Sequence, residues 1–207
     1  MLRLDPAVLA RLIRGAALDV IAASDELTAL DQAIGDGDHG INMRRGMEAV
    51  LAGLDANAGE DAGAVLQSVG RQIVMSVGGA SGPLFGTFFL ALGKAWPASG
   101  DGDALSQALS EALQAVKARG RSDEGQKTLL DVLGPVVGAL QRGDAPHVVA
   151  RVAEAGARAT IPMRAERGRA AFLGDRSVGH MDPGARTVAI MVAACAAVVA
   201  DRQEVHA

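Results

Sequence analysis

Aromatic side chains are nearly missing from this 207-residue chain: it has no tyrosine, one tryptophan and four phenylalanines. A core without rings has to be filled by Ala, Leu, Val, Ile and Met, and an interior rich in alanine implies closely packed helices. Cysteine is limited to Cys195, which excludes an intramolecular disulfide and lies in an apolar run where it reads as a small core residue. Positive charge is not in excess: the net charge is −4. With no basic run interleaved with aromatics, a nucleic-acid partner is not expected. The longest uncharged stretch, Thr187 to Ala200, is shorter than the roughly 18 to 20 residues a membrane span needs, and an acidic residue falls too early at the N-terminus for a signal peptide. The expectation is a cytoplasmic protein with no membrane partner. No stretch alternates β-branched residues between turn signals, and Gly93-Lys94-Ala95 is the nearest approach to the end of a Walker A loop.

What the chain does have is helical periodicity interrupted by three unusual loops. Hydrophobic residues make up 49% and charged ones 21%, the profile of a folded domain. Val8, Leu9, Leu12, Ile13, Ala16 and Ala17 predict a first helix behind an Asp5-Pro6 start, and Ser24 caps a short second one to Leu30. Further helices are predicted from Ile41 to Leu54, around Leu66 to Val74, from Pro83, from Leu105 to Arg119, from Gln126 to Leu140 with a bend at Pro135, from Asp144 to Ala159, and from Asp182-Pro183 to Ala200. Residues 55–63 and 97–103 are read as connectors. The expectation is one all-α domain over residues 1–207, of about eight helices.

The first loop, Asp31 to Asn42, carries three carboxylates, a histidine and an amide, with Gly35, Gly37 and Gly40 between them. Carboxylates about 5 Å apart repel by roughly 3 kcal/mol per pair at an effective dielectric near 20, and no Lys or Arg in the segment neutralises them. A divalent cation does so, and an all-oxygen ligand set favours Mg²⁺ or Ca²⁺. The EF-hand pattern fails: aligned on Asp36, its third carboxylate position falls on Gly40 and its closing glutamate on Met47. Mg²⁺ prefers to share a few carboxylates with substrate phosphates. The i, i+2 spacing of Asp36 and Asp38 aims both side chains one way if the loop is extended, with Asp31 joining from the preceding helix. Gly40 opens a helix whose free N–H groups suit phosphate oxygens.

The second loop, Ser76 to Pro83, is a glycine-rich turn into an apolar helix. The third, Thr160 to Asp182, is long, arginine-rich and weakly periodic, the profile of a functional segment. Arg176 is its expected phosphate ligand, because a guanidinium fork matches phosphate oxygens. No Ser-His-Asp or Cys-His set can be placed, so no side-chain nucleophile is expected.

Together, Gly35-Asp36-Gly37-Asp38-His39-Gly40, Gly78-Gly79-Ala80-Ser81-Gly82, and Gly168-Arg169 with Asp182-Pro183-Gly184 resemble the nucleotide-binding subunit of dihydroxyacetone kinase, most closely the L subunit of the phosphoenolpyruvate-dependent bacterial enzyme. The resemblance runs in order along the chain. It implies a barrel of eight antiparallel helices with ADP held at one end through two Mg²⁺. By position it makes Asp31, Asp36 and Asp38 the metal ligands. His39, Asn42, Ala80 and Ser81 would lie against the phosphates, Gly120 and Leu129 near the adenosine, and Arg176 with Asp182, Pro183 and Gly184 around the nucleotide, which Gly40 and Ile41 would also contact. His39 and Arg176 would stabilise phosphate. Charge counting agrees: three carboxylates at about −3, two Mg²⁺ at about +4 and ADP at about −3 leave about −2, against about −4 with one ion.

The implied partners are a dihydroxyacetone-binding K subunit and a phosphohistidine phosphocarrier M subunit. ADP would be charged to ATP by the latter and discharged onto dihydroxyacetone held by the former. Competing expectations are a subunit of an ATP-dependent short-sugar kinase with exchangeable nucleotide, a non-catalytic Mg-nucleotide sensor for a transcription regulator, and an Asp-rich scaffold with no ligand.

Overall fold

A computed structural model describes residues 6–56, 60–97 and 102–205. The expected cap at Asp5, and residues 57–59 and 98–101 of the two expected connectors, lie outside the described residues. The described residues hold nine α-helices and no strand: α1 Pro6–Ala22, α2 Ser24–Ile34, α3 His39–Ala56, α4 Ala62–Ser76, α5 Ser81–Ala95, α6 Gly102–Gly120, α7 Leu130–Gln141, α8 Pro146–Ala159 and α9 Pro183–Val205. A 3₁₀ segment, Arg169–Ser177, lies in the long loop before α9.

Eight of these helices form a closed ring, in the order α1, α3, α4, α5, α6, α7, α8 and α9, with α9 returning to α1. The eleven-residue α2 stands outside the ring and touches α3, α9 and the 3₁₀ segment, covering one end. The expected all-α class is therefore what forms; the short second helix expected to Leu30 runs on to Ile34 and lies outside the ring. The interior is aliphatic, as the shortage of rings requires; Phe85 is the one aromatic among the fully buried core residues. Where α4 meets α5 the two backbones nearly touch. A methyl group on Gly70 would fall 2.9 Å from the Gly86 carbonyl, and one on Gly93 would fall 2.6 Å from that of Gly63. Trp96 is the C-cap of α5, partly buried at the end of that helix opposite Ser81.

The start of α7 differs from expectation. The helix predicted from Gln126 begins only at Leu130. Gly125 and Lys127 both take positive φ, and Asp131 accepts the Gly125 and Thr128 N–H groups through its two carboxylate oxygens, so this acid organises a turn that competes with the helix. The apolar α9 is long enough to cross a membrane by length and composition, but it packs along α1, α7 and α8 and contributes Val188, Ala189 and Ile190 to the core.

Candidate functional site

Alternate helices in an up-and-down ring point the same way, so one end of this ring collects N-termini. His39 of α3, Ser81 of α5, Leu130 of α7 and Pro183 of α9 all line one cavity of about 380 Å³. Each N-terminus presents unpaired N–H groups and a partial positive charge. Four of them facing one space make it a strong attractor for anions.

At the α3 corner of that positive rim stands the acid trio. One carboxylate oxygen from each of Asp31, Asp36 and Asp38 lies within 4.8 Å of the others. Asp31 is buried, and its Oδ2 accepts the N–H groups of Asp38 at 2.9 Å and His39 at 3.1 Å. It thus ties the loop to the start of α3 and leaves Oδ1 free of these bonds. Asp36 and Asp38 are exposed to the cavity, and Arg169 pairs with Asp36 at 2.8 Å. An all-oxygen set of three acids, two of them solvent-accessible, fits a hard divalent cation that keeps several waters or phosphate ligands.

His39 is buried between two hydroxyls, with Nδ1 3.0 Å from Ser81 Oγ and Nε2 2.8 Å from Thr187 Oγ1. Thr187 donates its only hydroxyl proton to the Pro183 carbonyl, so Oγ1 accepts from Nε2–H, and in the neutral ring Nδ1 is left to accept from Ser81. The ring is neutral in this arrangement. Burial lowers its pKa, against the opposing field of Asp31 and Asp38.

Asp182 caps α9, its Oδ2 accepting the Ala185 N–H at 2.7 Å. Desolvation raises its carboxyl to about 7, against the Ala185 bond that lowers it, with Asp131 adding a further upward push. Because the folded value exceeds the ordinary 3.8, this group favours folding most in acid, and its contribution is lost as pH rises from about 4 through about 7. Asp182→Asn keeps an acceptor for Ala185 but does not titrate. Thermal melts of the ligand-free protein from pH 5 to 8 should therefore show the wild type losing stability relative to Asp182→Asn as pH rises.

The cavity wall brings together Asp31, Asp36, Asp38, His39, Asn42, Ala80, Ser81, Gly120, Leu129, Asp182, Pro183 and Gly184, all named from the sequence. Three others fall elsewhere. Ile41 is 62% exposed and outside the wall. Gly40 is also outside it; a methyl group there would lie 1.9 Å from the Ser24 carbonyl, so this glycine lets α3 approach α2. Arg176 is exposed on the outer side of the 3₁₀ segment, where its neighbour Ser177 turns inward and accepts the Ala165 N–H. The arginines in the wall are Arg119, Arg167 and Arg169. The Gly168-Arg169 pair was visible in the sequence as part of the third motif, but no local feature ranked it above Arg176.

Sequence reasoning also passed over Lys127. It is 1% exposed, and its ammonium donates to the carbonyls of Thr160 at 2.7 Å, Met163 at 3.2 Å and His180, binding both ends of the long loop. Cys195, expected in the core, is only half-buried: it lies in the α1–α9 seam with its thiol against the Leu12 carbonyl, and desolvation there raises its pKa to about 11.

An all-helical ring whose acid trio adjoins a collar of helix N-termini is a helical barrel with the chemistry of a polyanion site. The chain belongs to the DAK2 domain family, whose model matches residues 33–197. It is 43% identical over 179 residues to the ADP-binding subunit of the PEP-dependent dihydroxyacetone kinase of Escherichia coli K12, covering 82% of this chain and 85% of that one. It is also 43% identical over 166 residues to the corresponding subunit of dihydroxyacetone kinase 1 of Listeria innocua, covering 80% and 82%. The crystal structure of the C. freundii dihydroxyacetone kinase in complex with AMP-PNP and Mg²⁺ superposes with a TM-score of 0.74 at 26% identity. That match covers 92% of this chain and 34% of the solved one, so the chain spans about a third of that kinase.

Proposed function

We propose that this chain is the ADP-binding phosphotransferase subunit of a PEP-dependent dihydroxyacetone kinase, active only with partner subunits. The observation that carries the reading is the acid trio set against four helix N-termini in one cavity of nucleotide size. Asp31, Asp36 and Asp38 would hold two Mg²⁺, the number that the charge balance favours over one. Bound Mg²⁺ supplies neutralisation of phosphate charge and alignment of the transferred group. The chain's own residues then have positioning work to do, since phosphoryl transfer asks little of a protein nucleophile.

Ser81 and Asn42 face the phosphate end. Leu84, Val116, Leu129 and Leu130 supply an apolar wall for the base, beside Gly120. Arg169 takes the role first given to Arg176: it stands in the wall, already paired with Asp36, and a guanidinium there can exchange that carboxylate for a phosphate oxygen. The sugar would lie on a K subunit and the phosphohistidine on an M subunit, all in the cytoplasm. In this reading ADP stays bound as a phosphoryl carrier.

The match to a third of a longer kinase solved with AMP-PNP favours a second reading, in which ATP exchanges freely. ADP that survives gel filtration supports the carrier, and rapid exchange of labelled nucleotide supports the alternative. Turnover of dihydroxyacetone by this chain alone would refute dependence on partners.

Native mass measurement should find ADP and two magnesium ions on the purified protein. Stripping them with a chelator and then restoring Mg²⁺ and ADP at about 100 times the dissociation constant should stabilise the fold by about 2.7 kcal/mol, or roughly 5 to 11 °C in a thermal scan. Absence of any shift on restoration counts against the reading.

A further inference from the structure

The wall residue Asn42 does not stand alone. Its Oδ1 accepts a hydrogen bond from the Arg45 guanidinium at 2.9 Å, and the same guanidinium donates through Nε to the Ser76 carbonyl at 2.7 Å. Guanidinium nitrogens carry donors and no acceptor, so the amide atom facing Arg45 must be oxygen. The Asn42 NH₂ is then the group left to face the cavity, with two protons to donate. A reversed amide would set two donors against each other.

The second bond matters as much. Ser76 is the last residue of α4, and its carbonyl is one of those a helix end leaves without an intrahelical partner. The Val77–Ala80 turn leads from there to Ser81 at the head of α5. Asn42 is pressed against this turn, since a methyl group on Gly78 would come within 3.1 Å of its amide nitrogen. One planar group therefore fixes both the amide's direction and the origin of the glycine turn. Neighbouring Arg44 is engaged elsewhere, with Asp25 and the Ser24 hydroxyl on α2, and does not substitute for it.

We propose that Arg45 is a positioning residue for the phosphate end of the site: it orients the Asn42 amide to donate into the cavity and holds the glycine turn in register with it. The inference rests on the nucleotide reading above. Lysine at 45 keeps the charge but not the two-pronged geometry, so orientation and charge can be separated.

Calorimetric titration of the full-length protein, stripped and then given Mg²⁺ and ADP, tests this with wild type, Arg45→Met, Arg45→Lys, Asn42→Ala and the Asn42→Ala/Arg45→Met double variant. Arg45→Met should weaken ADP binding about tenfold, the order expected for losing a charge-assisted bond. Arg45→Lys should resemble Arg45→Met, and carries the comparison alone if the methionine variant does not fold. Adding Arg45→Met to Asn42→Ala should cost less than about threefold more, because the two act through one amide. In the ligand-free protein the Asn42 side-chain amide shifts should be displaced from random-coil values in wild type and return towards them in Arg45→Met, where the side chain is free to change rotamer. Wild-type affinity in Arg45→Lys overturns the inference, as do losses that multiply fully in the double variant. Failure of the wild type itself to bind Mg²⁺ and ADP overturns the nucleotide reading, and this inference with it.

Discussion

Asp38→Ala is expected to weaken Mg²⁺-dependent ADP binding at least about a hundredfold while leaving the melting temperature of the ligand-free protein nearly unchanged. Losing an outer-shell partner of a metal already costs roughly 10- to 100-fold in affinity, and a direct ligand should cost no less. Stability is spared because the Asp38 side chain is exposed to the cavity, and the bond that organises the loop runs from its backbone N–H to Asp31. Asp31→Ala makes the contrast. It removes a buried carboxylate that satisfies two N–H groups at the start of α3, so it should lose the metal and also destabilise the fold by about 1 to 3 kcal/mol. Titration calorimetry and a thermal scan on the same samples separate the two effects. Binding by Asp38→Ala within about threefold of wild type would sink the metal assignment.

Lys127→Met should be the most damaging single change to the fold, lowering the melting temperature by about 10 °C. The ammonium is among the largest fully buried groups in the molecule and is shared by three carbonyls from separate parts of the 160–182 loop. Methionine fills the volume but donates nothing, leaving those carbonyls without their partner. Leaving a buried acceptor unsatisfied costs about 1 to 3 kcal/mol, so several such carbonyls together put the loss at about 4 kcal/mol, and each kcal/mol is worth about 2 to 4 °C at this chain length. Burial lowers the Lys127 pKa, while Asp182 and Asp131 pull it upward, so the cation also supports the acids around it. The loop it anchors carries Arg169 and leads into Asp182, so ADP affinity should fall together with stability. A calorimetric melt displaced by less than about 2 °C would show that the carbonyls find other partners.

The parts of this molecule that the sequence discloses are those whose chemistry is local. Asp31, Asp36 and Asp38 fall within eight residues, so their crowding and their need for a cation can be read without a fold. Helical periodicity discloses the ring in the same way, because each helix buries its own apolar stripe. What stays hidden depends on distant segments. Asp36 meets Arg169 across more than a hundred residues, and nothing near Arg176 says that it faces outward. The pairing of His39 with Thr187 is likewise a product of ring closure. Residues 126–129 are the exception, hidden although the cause is local: Leu129, Leu130 and Leu133 continue the apolar spacing, and the short-range bonds from Gly125 and Thr128 to Asp131 hold a turn in place of the helix. Lys127 stays hidden because a lysine between polar neighbours ordinarily points to water.

The position of Trp96 has an optical consequence. With α5 fifteen residues long, the indole stands about 22 Å along the helix axis from Ser81, and no tyrosine adds to the signal. Its emission therefore follows the opening of the far end of the ring and is nearly blind to events at the collar. A protein this transparent in the near ultraviolet would have its absorption spectrum dominated by an adenine it carries, so the spectrum of a freshly purified sample is itself an assay of occupancy.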